Sequence, residues 1–239
     1  MKKLKAAIQY ECLTSVKYVW LFYLIQYAAV ALITVIVMLS VNTTEEVGTN
    51  CLEFNTLIYV GILGGLGAKE DFRMLIQNGF TRRCIFLAAA SMFAFICGVM
   101  ALVDTAVGQI LHLVFPAYSS VFGALYGYEN VFANWIWLFC FYMLVCSLLY
   151  LAVLAINKAG KTISICLGVG LGAAVLVIVA LFRYVVPGET AAKIAEAAAA
   201  AMGYLSDGTV NRVCPVLTML VLAALSGAGA YAVLRRTEL

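Results

Sequence analysis

The chain has 239 residues, 65% of them hydrophobic and only 11% charged, with mean hydropathy +1.03 and a formal net charge of +3. This composition excludes an ordinary soluble domain, and the modest positive charge gives no reason to expect a nucleic-acid partner. At about 20 apolar residues per crossing the length suits about six transmembrane helices and leaves no room for a separate soluble domain, so any ATP-binding or catalytic domain is expected on another chain.

In chain order, the basic start Lys2-Lys3-Leu4-Lys5 imitates a signal peptide, but the apolar run that follows extends from Tyr18 to Val41. That is too long for a signal-peptide core, and no small-residue cleavage site closes it, so it reads as a retained first span. Before it, Leu4, Ala7, Ile8 and Cys12 share one helical face and Lys2, Lys3, Lys5, Gln9 and Glu11 take the rest. Residues 1–17 are therefore expected to form an amphipathic interfacial helix separate from the span, or a solvated basic tail that fixes orientation. Within the span, Gln26 is a candidate interhelical hydrogen-bonder.

A second run, Cys51 to Ala68, carries Glu53 and Asn55 near its start and four glycines, Gly61, Gly64, Gly65 and Gly67. The spacing Gly61-x-x-x-Gly65 allows close helix approach, inside one subunit or at a dimer seam. The cytoplasmic stretch after it, Lys69 to Arg83, has Phe72, Leu75 and Ile76 on one helical face, Glu70 and Asp71 at the start and Asn78-Gly79 as a stop. It is expected to be a short surface helix suited to docking a cytoplasmic protein; an ordinary positively charged loop is the plainer alternative.

The third span is expected from Cys84 to Val103. Asp104 and His112 follow it, eight residues apart, and share one face if the helix runs on to Phe115. Ionisable residues at membrane depth are functional candidates, although twenty residues of helix from Cys84 span about 30 Å and place Asp104 near the outer interface. A fourth span runs from Val131 to Ile156 and a fifth from Thr162 to Phe182, with a second small-residue spacing at Gly168 and Gly172. Between them Gly160-Lys161-Thr162 is a turn and not a phosphate loop, because Ala155 stands where that motif needs glycine. Arg183 is read as a snorkelling interface residue. The Ala-rich stretch within 187–212 is expected to be helical and to end near Gly203, and the sixth span runs from Val213 to Leu234.

The charges orient these spans: 12 of the 15 basic residues fall on one side, giving a net +8 there and −5 on the other. By the positive-inside rule both termini are cytoplasmic. The eight cysteines and single histidine show no metal-ligand spacing. Cys51 and Cys214 lie near outer span ends, where a disulfide is conceivable. The spans are read as free of buried charge, which suits a hydrophobic, amphipathic or peptide-like substrate.

The six spans in this length, the N-terminal interfacial segment and the Glu70-Asp71-Phe72-x-x-x-x-x-Asn78-Gly79-x-Thr81-Arg82 stretch resemble the permease subunits of type 2 ABC exporters, particularly small bacterial permeases of peptide or antibiotic efflux and self-immunity systems. The resemblance implies an all-α fold in which residues 1–17 are a connecting helix and Glu70 to Arg83 a coupling helix. That helix would seat on an ATP-binding cassette subunit through Glu70, Asp71, Phe72, Arg73, Leu75 and Ile76. It also implies a second permease subunit in a dimer, a bacterial cytoplasmic membrane, ATP and Mg on the partner ATPase, and no catalytic residue or cofactor on this chain. The extracellular segment would help close an outer gate. Gln26, Asp104 and His112 are the candidate pathway residues. The alternatives are a secondary transporter, an intramembrane hydrolase, which a single histidine serves poorly, and a non-pumping sensor or immunity protein.

Overall fold

A computed structural model describes residues 2–41, 50–66, 75–77, 79–115, 118–159, 188–205 and 209–235. The elements are α1 (Lys2–Val41), α2 (Glu53–Leu66), α3 (Arg82–Val114), α4 (Val121–Tyr126), α5 (Val131–Ala159), α6 (Gly188–Ala201) and α7 (Val213–Arg235). Among the described residues there is no strand, only an isolated bridge between Tyr204 and Val210. Helices α1, α3, α5 and α7 are each long and apolar enough to cross a membrane, and α2 is a shorter apolar helix. The chain is a multi-pass helical membrane protein. The expected fifth span, with Gly168, Gly172 and Arg183, lies outside the described residues.

The register is fixed by pairs of side chains. Ser15 Oγ donates to Met92 Sδ at 3.3 Å and Tyr23 OH to the Met100 carbonyl at 3.1 Å, so α1 and α3 run parallel, eight residues matching eight. Phe93 packs on Tyr150 while Asp104 meets Tyr142, so α5 runs antiparallel to α3. Helix α2 runs with α5: Gly61 faces Leu149, Gly64 faces Cys146 and Gly65 faces Val153. Helix α7 also runs with α5, from Arg212 beside Glu129 to Gly229 beside Leu151. The bundle thus has an end at Arg82, where the Arg82 guanidinium donates to the Arg235 carbonyl at 2.6 Å and Arg83 to Tyr231 OH at 3.1 Å. The opposite end lies at Ser120.

Two expectations change, and one of two open alternatives is found for the glycines. Residues 1–17 do not form a separate helix: α1 is continuous from Lys2 to Val41, because nothing between the amphipathic and apolar parts breaks the backbone ladder. At 1.5 Å per residue it is about 60 Å long, twice a hydrocarbon core. The third span does not stop at Val103; α3 continues to Val114 and caps at Phe115. The glycines of α2 serve packing within the chain, where a Cβ on Gly64 would stand 2.5 Å from the Cys146 carbonyl oxygen.

The expected stop at Asn78-Gly79 is found. Gly79 has φ +73°, its N–H donates to the Ile76 carbonyl at 2.9 Å, and Phe80 N–H donates to the Leu75 carbonyl at 3.0 Å. These two bonds are the Schellman pattern, with Leu75 buried in the apolar core and Phe80 partly buried against it. Thr81 then caps α3 by accepting from Cys84 N–H. The Ala-rich helix α6 forms as expected and is largely exposed, and the chain turns after it at Gly203 with φ +90°.

Candidate functional site

The polar residues of the spans gather toward the Ser120 end. From α1, Tyr23, Gln26 and Tyr27 share one face at helical spacing. Tyr23 and Gln26 are buried, and Tyr27 stacks on Tyr23 with ring centres 5.7 Å apart. From α2, Glu53 and Thr56 are one turn apart, with relative exposures of 4% and 0%. From α3 come Asp104, 5% exposed, and buried Thr105; from α5 comes fully buried Tyr142.

Asp104 is the centre. Its Oδ1 accepts from Tyr23 OH at 2.9 Å and its Oδ2 from Tyr142 OH at 2.6 Å, so one carboxyl ties α1, α3 and α5 together. Hydrogen bonds to a carboxylate are among the stronger protein interactions because the acceptor carries charge. The Thr56 hydroxyl lies beside Asp104 and Tyr23 but forms no hydrogen bond of good geometry.

Glu53 is held less well. Its Oε2 receives the Val121 N–H at the long distance of 3.5 Å, and its Oε1, near Gly108 of α3, has no partner. Gln26 Nε2 donates to the Leu52 carbonyl at 3.4 Å, while Gln26 Oε1 is buried without a partner.

A roof closes the site. Cys51 N–H donates to the Ser119 carbonyl at 2.9 Å, joining the start of α2 to the segment before α4. Tyr118, Ser120, Phe122 and Tyr126 are all buried. The Tyr118 phenol is pushed above its ordinary range, first by burial and then by the Glu53 charge, so it remains a neutral donor. Outside the roof, Tyr126 OH donates to the Met202 carbonyl at 2.6 Å and Arg212 pairs with Glu129 at 3.0 Å, pinning the 202–212 turn over it.

The three candidate pathway residues separate here. Asp104 is central and Gln26 sits at the edge beside Leu52. His112 does not join them: its ring stacks on Tyr128 with centroids 3.6 Å apart, and Nδ1 lies 3.0 Å from the Tyr118 carbonyl. The expectation of spans without buried charge is corrected, since the carboxyls of Glu53 in the short apolar helix α2 and of Asp104 in α3 are both buried. Asp104 is not at an open interface, because α3 runs ten residues further and the roof covers it.

Of the expected ATPase-contact residues, Glu70, Asp71, Phe72 and Arg73 lie outside the described residues. Leu75 is 4% exposed and packs into the chain's own core, and Ile76 is half-buried against it. Sequence reasoning missed that Glu53 and Asp104 are buried within electrostatic reach of each other; the available signal was Glu53 and Thr56 on one face of a largely apolar helix.

A separate apolar cavity of about 280 Å³ lies between α3, α5 and α7, walled by Phe86, Phe93, Met143, Tyr150 and Leu220. Among the described residues no group of three or more His, Cys, Asp or Glu side chains is placed to hold a metal. Cys51 and Cys214 are not bridged. Comparison with protein-family models, with characterised proteins and with solved structures gives no match, so function is read from the chain's own residues and geometry.

Proposed function

We propose that this chain is the permease subunit of an ATP-driven exporter, crossing the bacterial cytoplasmic membrane six times with both termini inside and pairing with a second permease and two ATPase subunits. The observation that carries this reading is the short helical turn ending at Gly79. It is anchored by Leu75 in the core, stopped by the Schellman bonds and followed at once by the cap of α3. Such an anchored turn is the mechanical link a docking element needs, because a push on residues before it passes into α3 rather than dissipating in a loop.

Two further observations support it. Helices α5 and α7 run the same way, an arrangement that the six-span reading also requires. Arg82, Arg83 and Arg235 meet at one end, the cytoplasmic one by the positive-inside rule. The apolar cavity suits a hydrophobic or peptide-like substrate. The chain itself would bind no ATP.

The test is co-purification with the products of neighbouring genes, followed by ATPase and transport assays. Replacing both Phe72 and Arg73 by alanine is expected to lower coupled transport at least about tenfold while leaving the fold intact, the loss of roughly 1.4 kcal/mol of coupling. Absence of any associated ATPase, together with full activity of the double variant, overturns the reading.

The buried carboxyls Glu53 and Asp104 favour a second reading, a carrier driven by a cation gradient, since ionisable groups inside membrane proteins commonly mark ion pathways. Transport that persists without any ATPase and collapses with the ion gradient would select it.

A further inference from the structure

Charge balance singles out Glu53. Among the described residues, the titratable groups that act on it electrostatically are acids: Tyr27 from α1, Cys51 at the start of α2, Asp104 from α3, Tyr118 from the roof and Tyr142 from α5. Among the described residues the one ion pair, Arg212 with Glu129, lies outside the roof. A buried carboxylate without a counter-charge or adequate hydrogen bonds costs several kcal/mol in ordinary cases, so a positive charge is expected to accompany it.

The unused atoms around Glu53 are of one chemical kind. Glu53 Oε1, Gln26 Oε1 and Thr56 Oγ1 are all buried and lack hydrogen-bond partners. Each belongs to a side chain more than nine-tenths buried. Unsatisfied buried oxygens are uncommon and call for a missing partner, and carboxylate, amide and hydroxyl oxygens are the ligands of hard cations. The charge count sets the valence. Asp104 already accepts two phenol O–H bonds, whereas Glu53 has a single long one, leaving one poorly compensated charge.

Gln26 also faces an opening, a crevice of about 580 Å³ between α1 and α2 that carries Asn50, Cys51 and Asn55 in its wall, whereas Glu53 and Thr56 do not line it. We propose that Glu53, with Thr56, Gln26 and Asp104 around it, binds one monovalent cation, Na⁺ or H⁺. The proposal stands whether an ATPase or an ion gradient drives the chain, because it concerns binding to the chain alone.

The experiment uses the purified full-length chain in nanodiscs, without partners. Radioactive ²²Na⁺ binding is measured directly, and melting temperature is followed in about 100 mM NaCl, KCl or choline chloride and, in choline, from about pH 5 to 8. If the cation is Na⁺, about one ion binds per chain and NaCl raises the melting temperature by about 5 °C over choline. If it is H⁺, salt identity has no effect and the melting temperature falls as pH rises through that window. In either case Glu53→Gln abolishes the response, Asp104→Asn reduces it, and Glu129→Gln, in the exposed ion pair, leaves it unchanged. A wild-type chain that binds no ²²Na⁺ and melts alike in all salts and at every pH overturns the proposal, with no reliance on any variant folding. A full response in Glu53→Gln overturns it as well.

Discussion

The half of the bundle near Arg82 and the half near Ser120 adhere by different means. Near Arg82, helices touch through small residues: Gly61 and Gly64 admit α5 to the backbone of α2, and Ala88, Ala89 and Cys97 bring the buried face of α3 close to its neighbours. Near Ser120, the same helices are joined by Asp104 to Tyr23 and Tyr142, and Glu53 and Gln26 are left with spare acceptors. In a bilayer apolar burial gives helices little reason to prefer each other over lipid, so close packing and hydrogen bonds carry the association. Close packing has one good geometry and resists change. A polar cluster with unused valences can exchange partners, and that is where a binding step can reside.

The largest expected effect breaks the tight half. Gly64→Val would set a side chain against the Cys146 carbonyl oxygen, 2.5 Å from the Cβ position, and neither backbone can yield without parting α2 from α5. We expect a loss of about 3 kcal/mol or more, the range of severe overpacking, read as a lowered melting temperature in detergent. Gly65→Ala is the control: its Cβ would meet Val153 Cγ2 at an ordinary 3.5 Å, so a change within about 0.5 kcal/mol is expected. Equal tolerance at both positions would refute the close α2–α5 contact.

The next effect concerns the polar half. In a double-mutant cycle of Asp104→Asn and Tyr142→Phe, the coupling expected is about 1 kcal/mol, typical of the larger hydrogen bonds measured between membrane helices. Tyr23→Phe should couple to Asp104 less strongly, because its bond is longer, 2.9 Å against 2.6 Å, and its hydroxyl is shared with the Met100 carbonyl. Additive effects within about 0.3 kcal/mol would mean that Asp104 does not join α3 to α5, and the contrast between the halves would disappear.

These two halves were unequally legible in the sequence. The four glycines of the second run announced close packing, since glycine allows the closest backbone approach, yet the spacing pointed to Gly61 and Gly65 while Gly64 makes the closest contact of these. The stop at Gly79 and the Ala-rich helix were readable because both follow from local backbone preferences. The continuity of α1 was hidden by a change of polarity at Tyr18, which alters the surroundings of a helix without breaking it. The site was hidden for a different reason. Glu53 and Asp104 belong to different helices, and no local pattern states that they meet; counting residues from Cys84 placed Asp104 at an interface because it took no account of the roof from Tyr118 to Tyr126.

The smallest expected effect tests how the roof holds Glu53. Cys51 sits two residues before it with φ +57°, a left-handed conformation unusual for a residue with a side chain, and its N–H bonds the Ser119 carbonyl. Glycine would relieve that strain, about 1 kcal/mol, but would also release more chain entropy on unfolding, about 0.5–1 kcal/mol. The two nearly cancel, so Cys51→Gly should be neutral within about 0.5 kcal/mol, whereas Cys51→Val, β-branched at positive φ, should cost more than about 1 kcal/mol. The melting temperatures of the two variants check this ordering. If Gly is as harmful as Val, the thiol and not the backbone turn matters at this position. If both are neutral, the Cys51 to Ser119 link does not restrain the start of α2, and Glu53 is set by Val121 of α4 and its neighbours on α3.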